Sequence, residues 1–106
     1  SMCEAMIVGE KFGIDPGMLV DVFNSSSGMS NSTQVKGRQF IVPRNYAAGF
    51  TMALMAKDLR TAADLAEQLD VEVPTMTEMA KIWARAAETV GQSADHTAIH
   101  KFLEGK

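Results

Sequence analysis

Several features that define other protein classes are scarce or missing in these 106 residues. The single cysteine, Cys3, excludes an internal disulfide and a cysteine-built zinc site, and with eight methionines it is typical of a reducing compartment. No apolar run approaches the roughly 18 residues of a membrane span. The basic residues are scattered and the net charge is −3, so no basic stripe is available for nucleic acid. We therefore expect a soluble, cytoplasmic domain that binds neither membrane nor nucleic acid.

A glycine pattern of the GxGxxG type, which holds a dinucleotide pyrophosphate at a helix N-terminus, is also missing. At this length the chain forms one hydrophobic core, and 46% apolar with 22% charged residues is a globular composition. Ser1-Met2 resembles the remnant of a purification tag. The sequence thus predicts one domain over residues 3–106, without a dinucleotide-binding unit of its own.

Helical periodicity runs through the chain, and no convincing alternating strand pattern occurs. Gly28, within a serine-rich stretch, and Gly91 mark breaks between helices. The expected helices lie at residues 3–13, from Pro16 after a capping Asp15, at about 32–40, at about 50–69, from a Thr75/Glu78 capping box to Gly91, and after a capping Asp95. This pattern predicts an all-α domain of five to six helices.

The longest of these helices separates an apolar arc from a charged arc on a helical wheel. Lys57 and Asp64 lie on the charged arc, and Asp58 lies at its apolar flank. Because an unpaired buried carboxylate is costly, Asp58 should reach solvent or meet a fixed donor. The apolar arc should face the core and consists of Met52, Met55, Leu59, Ala62, Ala63, Ala66 and Leu69. Pattern alone leaves the charged arc as either a solvated face or a functional surface.

The same helix contains KDLRTAAD, residues 57–64, which resembles the KDLxxAxD stretch of the β-hydroxyacid dehydrogenases. This family includes the 3-hydroxyisobutyrate dehydrogenases and is related to the 6-phosphogluconate dehydrogenases. Gly49-Phe50 is similar to the family's PGF, with Ala48 in place of the proline, and NSSSG at 24–28 is similar to its Ser/Gly-rich segment. EQLDVEVPTMTEMAKIWARA and DHTAIHKFLE resemble the family's later helices, so the resemblance covers residues 3–104.

The resemblance implies that residues 3–106 are the C-terminal helical domain of such an enzyme, with the 6-phosphogluconate dehydrogenase C-terminal-like fold. The family's N-terminal dinucleotide-binding domain and its catalytic lysine are not in this sequence, so we expect no catalytic residue here and no activity from this chain alone. The complete enzyme would be an NAD- or NADP-dependent oxidoreductase. It would transfer hydride between the cofactor and a small 3-hydroxy acid.

The same resemblance implies roles for four residues. Lys57, Asp58 and Asp64 would form the cofactor-binding group, and Phe50 with Lys57 would contact the substrate. Lys57 would reach across the interdomain cleft, with Asp58 and Asp64 holding its helix in place. The expected partners are the N-terminal domain, a second copy in a homodimer formed through this domain, and the hydroxy acid.

Two other interpretations compete with these roles. A free-standing helical module could use the charged arc to bind a partner protein, in which case Lys57 is a solvated lysine or an interface residue. His96 and His100 are spaced i, i+4, as in some metal sites, but no HExxH pattern or third ligand accompanies them. We expect no metal, and surface or tail positions for both histidines.

Overall fold

The computed structural model describes residues 1–105, and Lys106, the last residue of the expected domain, lies outside the described residues. The part described is all-α and contains no β-strand, which confirms the predicted fold class. An isolated β-bridge joins Thr51 to Asp95. The helices are α1 (Met2–Phe12), α2 (Pro16–Asn24), a π-helix (Ser32–Ile41), α3 (Met52–Gln68), α4 (Pro74–Val90), a 3₁₀ turn (His96–Ala98) and α5 (Ile99–Glu104).

Local capping chemistry sets several of the helix ends. The Asp15 side chain accepts the Met18 N–H at 3.1 Å ahead of Pro16, as predicted. The Thr75/Glu78 capping box is wrong, because α4 begins at Pro74, two residues before the start that a Thr75 cap would give, and its N-cap residue, Val73, makes no side-chain cap bond. Proline supplies the helical φ at the first position and has no N–H to satisfy, so the helix starts there without a capping side chain.

The third helix is confirmed in position but is wound as a π-helix, which nothing in the sequence indicated. The Val42 N–H donates to the Gly37 carbonyl at 2.8 Å, which continues the i→i−5 spacing past its last residue. Gly37 is buried, and a Cβ there would lie 3.3 Å from both the Met2 sulfur and Val20 Cγ2. A glycine at this position therefore lets α1 and α2 pack closely against the π-helix.

The hydrophobic core lies where all the helices meet, and each contributes only a few residues to it. Gly9 allows α1 to cross α2, because a Cβ there would lie 2.6 Å from the Leu19 methyl carbons. Burying a side chain the size of Met6 stabilises the fold by about 1.5–3 kcal/mol. The core residues are Cys3, Met6, Val20, Ile41, Met52, Ala86, Ala87, Ala98 and Ile99.

Helices α3 and α4 form an antiparallel hairpin that joins the rest of the domain at its base. Met52 is the buried residue of α3, and Ala86 with Ala87 are those of α4, all at the base end. The expectation that Leu69 faces the core is wrong, because it follows the last residue of α3 and is 65% exposed. No helix in the described residues is long and apolar enough to cross a membrane.

Candidate functional site

Lys57 lies in the middle of α3, on the face turned away from the core. Its side chain is 66% exposed, and its Nζ lies 3.5 Å from Asp58 Oδ1. Asp58 is itself 58% exposed, so it reaches solvent, as one of the two expected arrangements required. The ion pair is weak at this exposure. The ammonium is therefore available to an anionic group brought up to α3 from outside the domain.

Asp64, two turns beyond Lys57 on α3, opens onto a groove of about 720 Å³ between α3 and α4. Carboxylates outnumber basic groups along this groove. A phosphate group would be repelled there, since carboxylates cannot donate hydrogen bonds to it when ionised. The charged residues lining the groove are Arg60, Asp64, Glu67, Asp70, Glu72, Glu78 and Lys81.

Phe50 lies in the turn that leads into α3 and is half-buried. Its ring meets the His96 ring edge-on, with centroids 5.6 Å apart and an interplanar angle of 85°. The Phe50 carbonyl accepts the His96 backbone N–H at 2.7 Å, and His96 Nδ1 lies 3.1 Å from the same oxygen. The preceding Gly49 has φ 96°, a conformation that glycine adopts without strain. Both the ring and the backbone of Phe50 are thus held by contacts with His96, which is remote in sequence.

The first turn of α3 is held by the connection between α4 and the 3₁₀ turn. The Met52 N–H donates to the Ala94 carbonyl at 2.7 Å, and the Ala53 N–H donates to the Gln92 carbonyl at 3.1 Å. Thr51 Oγ1 accepts the Leu54 N–H at 3.2 Å as an N-cap. The otherwise unpaired N–H groups of the helix start are therefore satisfied, and α3 has a defined origin.

Asp95 caps the 3₁₀ turn, as the sequence predicted, but it also reaches the Phe50 turn, which the sequence did not predict. Its Oδ2 accepts the Thr97 N–H at 3.0 Å and the Thr97 hydroxyl. Its Oδ1 accepts the N–H of Gly49 at 2.8 Å and that of Phe50 at 3.3 Å. Partial burial would raise the pKa of this carboxyl, but hydrogen bonds from Thr97 and Gly49 outweigh it and lower the pKa to about 2.

The expectation that both histidines occupy surface or tail positions is wrong. His96 is largely covered by the Phe50 turn, and His100 is 1% exposed. His100 Nδ1 lies 3.1 Å from the Tyr46 hydroxyl, and its Nε2 is buried and has no hydrogen-bond partner among residues 1–105. Burial lowers the pKa of His100, because the imidazolium would lose its hydration. Ile99 and Leu103, apolar residues flanking His100, were a sequence signal for this burial.

Glu10, His100 and Glu104 bring potential metal-ligating atoms within 4.8 Å of one another. The Arg44 guanidinium already engages both carboxylates, since it donates to the two oxygens of Glu104 at 2.8 and 2.6 Å and lies 3.9 Å from Glu10 Oε2. A cation would have to displace the arginine and would meet its positive charge. The donor set therefore forms an ion-paired cluster that ties the Arg44 loop to α1 and α5.

Three of the four predicted site residues lie on α3, and the fourth lies just before it. Lys57, Asp58 and Asp64 are exposed along α3, and Phe50 lies in the turn just before that helix. Their predicted roles toward a cofactor and a substrate stay predictions. The residues that sequence reasoning missed as part of this region are Asp95 and His96, which fix the start of the helix that carries Lys57.

Comparison with known proteins identifies one family. A family model described as NAD-binding of NADP-dependent 3-hydroxyisobutyrate dehydrogenase matches residues 1–103. The 2-(hydroxymethyl)glutarate dehydrogenase of Eubacterium barkeri is 36% identical over 105 residues, which are 98% of this chain and 35% of the relative. The mitochondrial 3-hydroxyisobutyrate dehydrogenase of Homo sapiens is 44% identical over 106 residues, covering 94% of this chain and 32% of the relative. The chain thus spans about a third of the length of these curated relatives.

Solved structures show the same helical arrangement. A 3-hydroxyisobutyrate dehydrogenase from Mycobacterium tuberculosis, solved with L-serine, has a TM-score of 0.81 at 27% identity, covering 96% of this chain and 37% of that chain. The enzyme of the same name from Salmonella typhimurium has a TM-score of 0.86 at 24% identity, covering 95% and 35%. At that identity the Salmonella likeness concerns the fold alone.

Proposed function

The chain belongs to the NAD-binding family of NADP-dependent 3-hydroxyisobutyrate dehydrogenases, and we propose from this that it is the C-terminal helical domain of an NAD(P)-dependent oxidoreductase acting on a small 3-hydroxy acid. NAD(P) is the cofactor of the family, and the relatives are dehydrogenases. In this proposal the domain supplies one wall of the active-site cleft, and a separate N-terminal domain supplies the dinucleotide-binding fold. The observation that carries the proposal is the match over residues 1–103.

The exposure of Lys57 supports its proposed place at the cleft. NAD(P), when bound, accepts the hydride from the hydroxyl-bearing carbon or returns it. Lys57 would place a flexible ammonium against the substrate carboxylate or the nicotinamide end of the cofactor. Asp58 Oδ1 lies 3.5 Å from the Lys57 ammonium nitrogen, and in this proposal Asp58 and Asp64 would help to hold the helix and its lysine in place. Phe50 would give the substrate an apolar wall.

In this proposal, the acidic groove next to Asp64 indicates which end of the cofactor this domain contacts. Its carboxylates disfavour the diphosphate, so the diphosphate would be held by the N-terminal domain, where a helix N-terminus provides N–H donors. Lys57 does not line this groove, so the carboxylate of the substrate would approach its ammonium without meeting the groove's carboxylates. The charges of this domain thus agree with a role at the reacting end of the cleft.

Exposed apolar residues support the proposed partners, which are the N-terminal domain and a second copy. Leu65, Leu69 and Val71 at the hairpin tip are each more than half exposed. A cavity of about 250 Å³, lined in part by Met55 and Trp83, opens between the hairpin and the start of α1. Surfaces of this kind are covered in the assembled protein or promote self-association. A cytoplasmic location stays part of the proposal, although the name of the human relative places that protein in mitochondria.

Turnover of small 3-hydroxy acids tests the proposal, with NAD(P)H absorbance as the readout. The domain is assayed with and without the separately expressed region encoded upstream of it in the same gene. Activity that requires both pieces supports the dehydrogenase, and its dependence on the acid identifies the substrate. If that upstream region binds no dinucleotide and the mixture is inactive, the proposal fails.

In that event the free-standing interaction module becomes the better account. The charged arc of α3 would then bind a partner protein, and Lys57 would contribute to the interface. The family match over nearly the whole chain favours the enzyme over this module.

A further inference from the structure

The turn at residues 49–51 and the connection at residues 92–97 are joined by hydrogen bonds in both directions. The connection supplies carbonyl acceptors to the first amides of α3, and the Phe50 carbonyl accepts the backbone N–H of His96. This double attachment is the structural link between the start of α3 and the C-terminal part of the domain. The position of the α3 start therefore depends on residues that are remote in sequence.

Asp95 makes contacts on both sides of this link. One of its oxygens accepts hydrogen bonds from the Gly49 and Phe50 amides, and the other accepts the Thr97 N–H in the adjoining 3₁₀ turn. A carboxylate hydrogen-bonded by several backbone amides is held more firmly than an ordinary cap, because each bond is charge-assisted. Its side chain is 10% exposed, so water competes little for these donors.

His96 adds a second contact to the same turn. Its ring stands edge-on to the Phe50 ring, and its Nδ1 lies within hydrogen-bond distance of the Phe50 carbonyl. Neither Asp95 nor His96 lies on α3, and neither shares a helix face with Lys57. Their effect on a site at α3 would be exerted through Phe50 and the helix start.

We propose that Asp95 is a positioning residue, which fixes the Phe50 wall and the first turn of α3 and thereby the place of Lys57 in the cleft. This inference rests on the proposed function for the roles of Phe50 and Lys57. The carboxylate is required because its two oxygens must each accept two hydrogen bonds, one pair on each side of the link. The side-chain amide of asparagine has only one oxygen that accepts hydrogen bonds. Asp95→Asn can therefore keep the hydrogen bonds from the Gly49 and Phe50 amides or those from Thr97, but not both sets.

The first test uses the 106-residue chain and amide hydrogen exchange by NMR. The matched control is Asp15, an aspartate that also caps a helix but serves α2. In Asp95→Ala the amides of Gly49, Phe50 and Met52 should exchange about tenfold faster or more than in wild type, with Asp95→Asn intermediate. Asp15→Ala should leave these amides unchanged. Equal rates in the Asp95 and Asp15 variants would overturn the proposal.

The second test measures hydroxy-acid turnover by the chain combined with its dinucleotide-binding partner region. Asp95→Asn should lower kcat/KM by about tenfold or more, while Asp15→Asn, matched to it in thermal midpoint, should not. If wild type turns over and Asp95→Asn is equally active, the proposal is wrong although the proposed function stands. If the upstream region binds no dinucleotide and wild type shows no turnover, the proposed function fails and the positioning role in a cleft fails with it, even where the exchange test shows an intact link.

Discussion

Arg44 and Glu104, sixty residues apart, form a two-pronged ion pair in which each terminal guanidinium nitrogen donates to one carboxylate oxygen, at 2.8 and 2.6 Å. Glu104 is 9% exposed, so its charge is poorly hydrated and depends on this contact more than a surface carboxylate would. Arg44 belongs to the loop after the π-helix, and its φ of 60° is unusual for a residue with a side chain. The ion pair therefore holds a strained loop against the last helix.

A double-mutant cycle with Arg44→Gln and Glu104→Gln should give a coupling energy of about 1–2 kcal/mol, because the pair is two-pronged and the Glu104 side chain is only 9% exposed. The matched control is Arg38 with Asp21, a single contact of 2.6 Å between two exposed side chains. That cycle should give less than about 1 kcal/mol. Urea denaturation measures both, and equal coupling energies would contradict the prediction.

His100 should make the domain less stable in mild acid. Burial lowers its pKa in the folded chain, so below about pH 6.5 the unfolded chain binds a proton that the folded chain does not. Stability conferred by the neutral imidazole is present above that pH and is lost as the pH falls toward the lower folded value. Arg44 opposes the imidazolium and the carboxylates of Glu10 and Glu104 favour it, but burial outweighs them.

The free energy of unfolding, measured in urea between pH 8 and pH 5.5, should therefore fall in wild type. In His100→Leu it should change less over the same range, although that variant should be less stable throughout because the Tyr46 hydroxyl loses its contact with the His100 ring. An identical pH dependence in the two proteins would show that another group is responsible.

Cys3 should be inert toward thiol reagents while the domain is folded. Burial raises the pKa of the thiol to about 11, so at pH 8 about one molecule in a thousand carries the thiolate that reacts. Reaction with an aromatic disulfide reagent should be slower than for the same chain in guanidinium by about a hundredfold or more. Equal rates in the folded and unfolded chain would mean that Cys3 is accessible.

If Lys57 has the proposed role, Lys57→Ala should lower hydroxy-acid turnover by about a hundredfold or more in the assembled enzyme, because the variant loses the ammonium that would position the substrate. Stability should change by less than about 0.5 kcal/mol, since the side chain is largely exposed. Lys101→Ala, an exposed lysine on α5, is the matched control and should retain activity. Unchanged turnover in Lys57→Ala would remove this residue from the site.

Features that depend on neighbouring residues could be predicted from the sequence. The Asp15 and Asp95 caps and the helix between Met52 and Gln68 follow from a capping side chain and a 3.6-residue period, which act within one or two turns. The Thr75/Glu78 box failed because Pro74 competes for the same helix start. The wrong prediction therefore also involved local signals, because Pro74 rather than the Thr75/Glu78 box sets the start of α4.

Features that join distant parts of the chain could not be predicted in this way. The contact between Asp95 and Gly49 spans 46 positions, and no periodicity encodes it. The close approach of Met2 on α1 and Val20 on α2 to Gly37 in the π-helix is likewise known only once the helices are packed. The resemblance to a family pointed to Lys57, but the surroundings that fix its helix came from the structure.

The tip of the hairpin formed by α3 and α4 should unfold locally before the rest of the domain. Its buried residues are confined to the base, so the part near Leu69 and Val71 can separate without opening the core around Met6. Such a segment forms its own cooperative unit with a smaller opening free energy than the whole domain. A protease should thus cut first at residues 69–73, and a bound partner that suppresses this cleavage would be covering the hairpin.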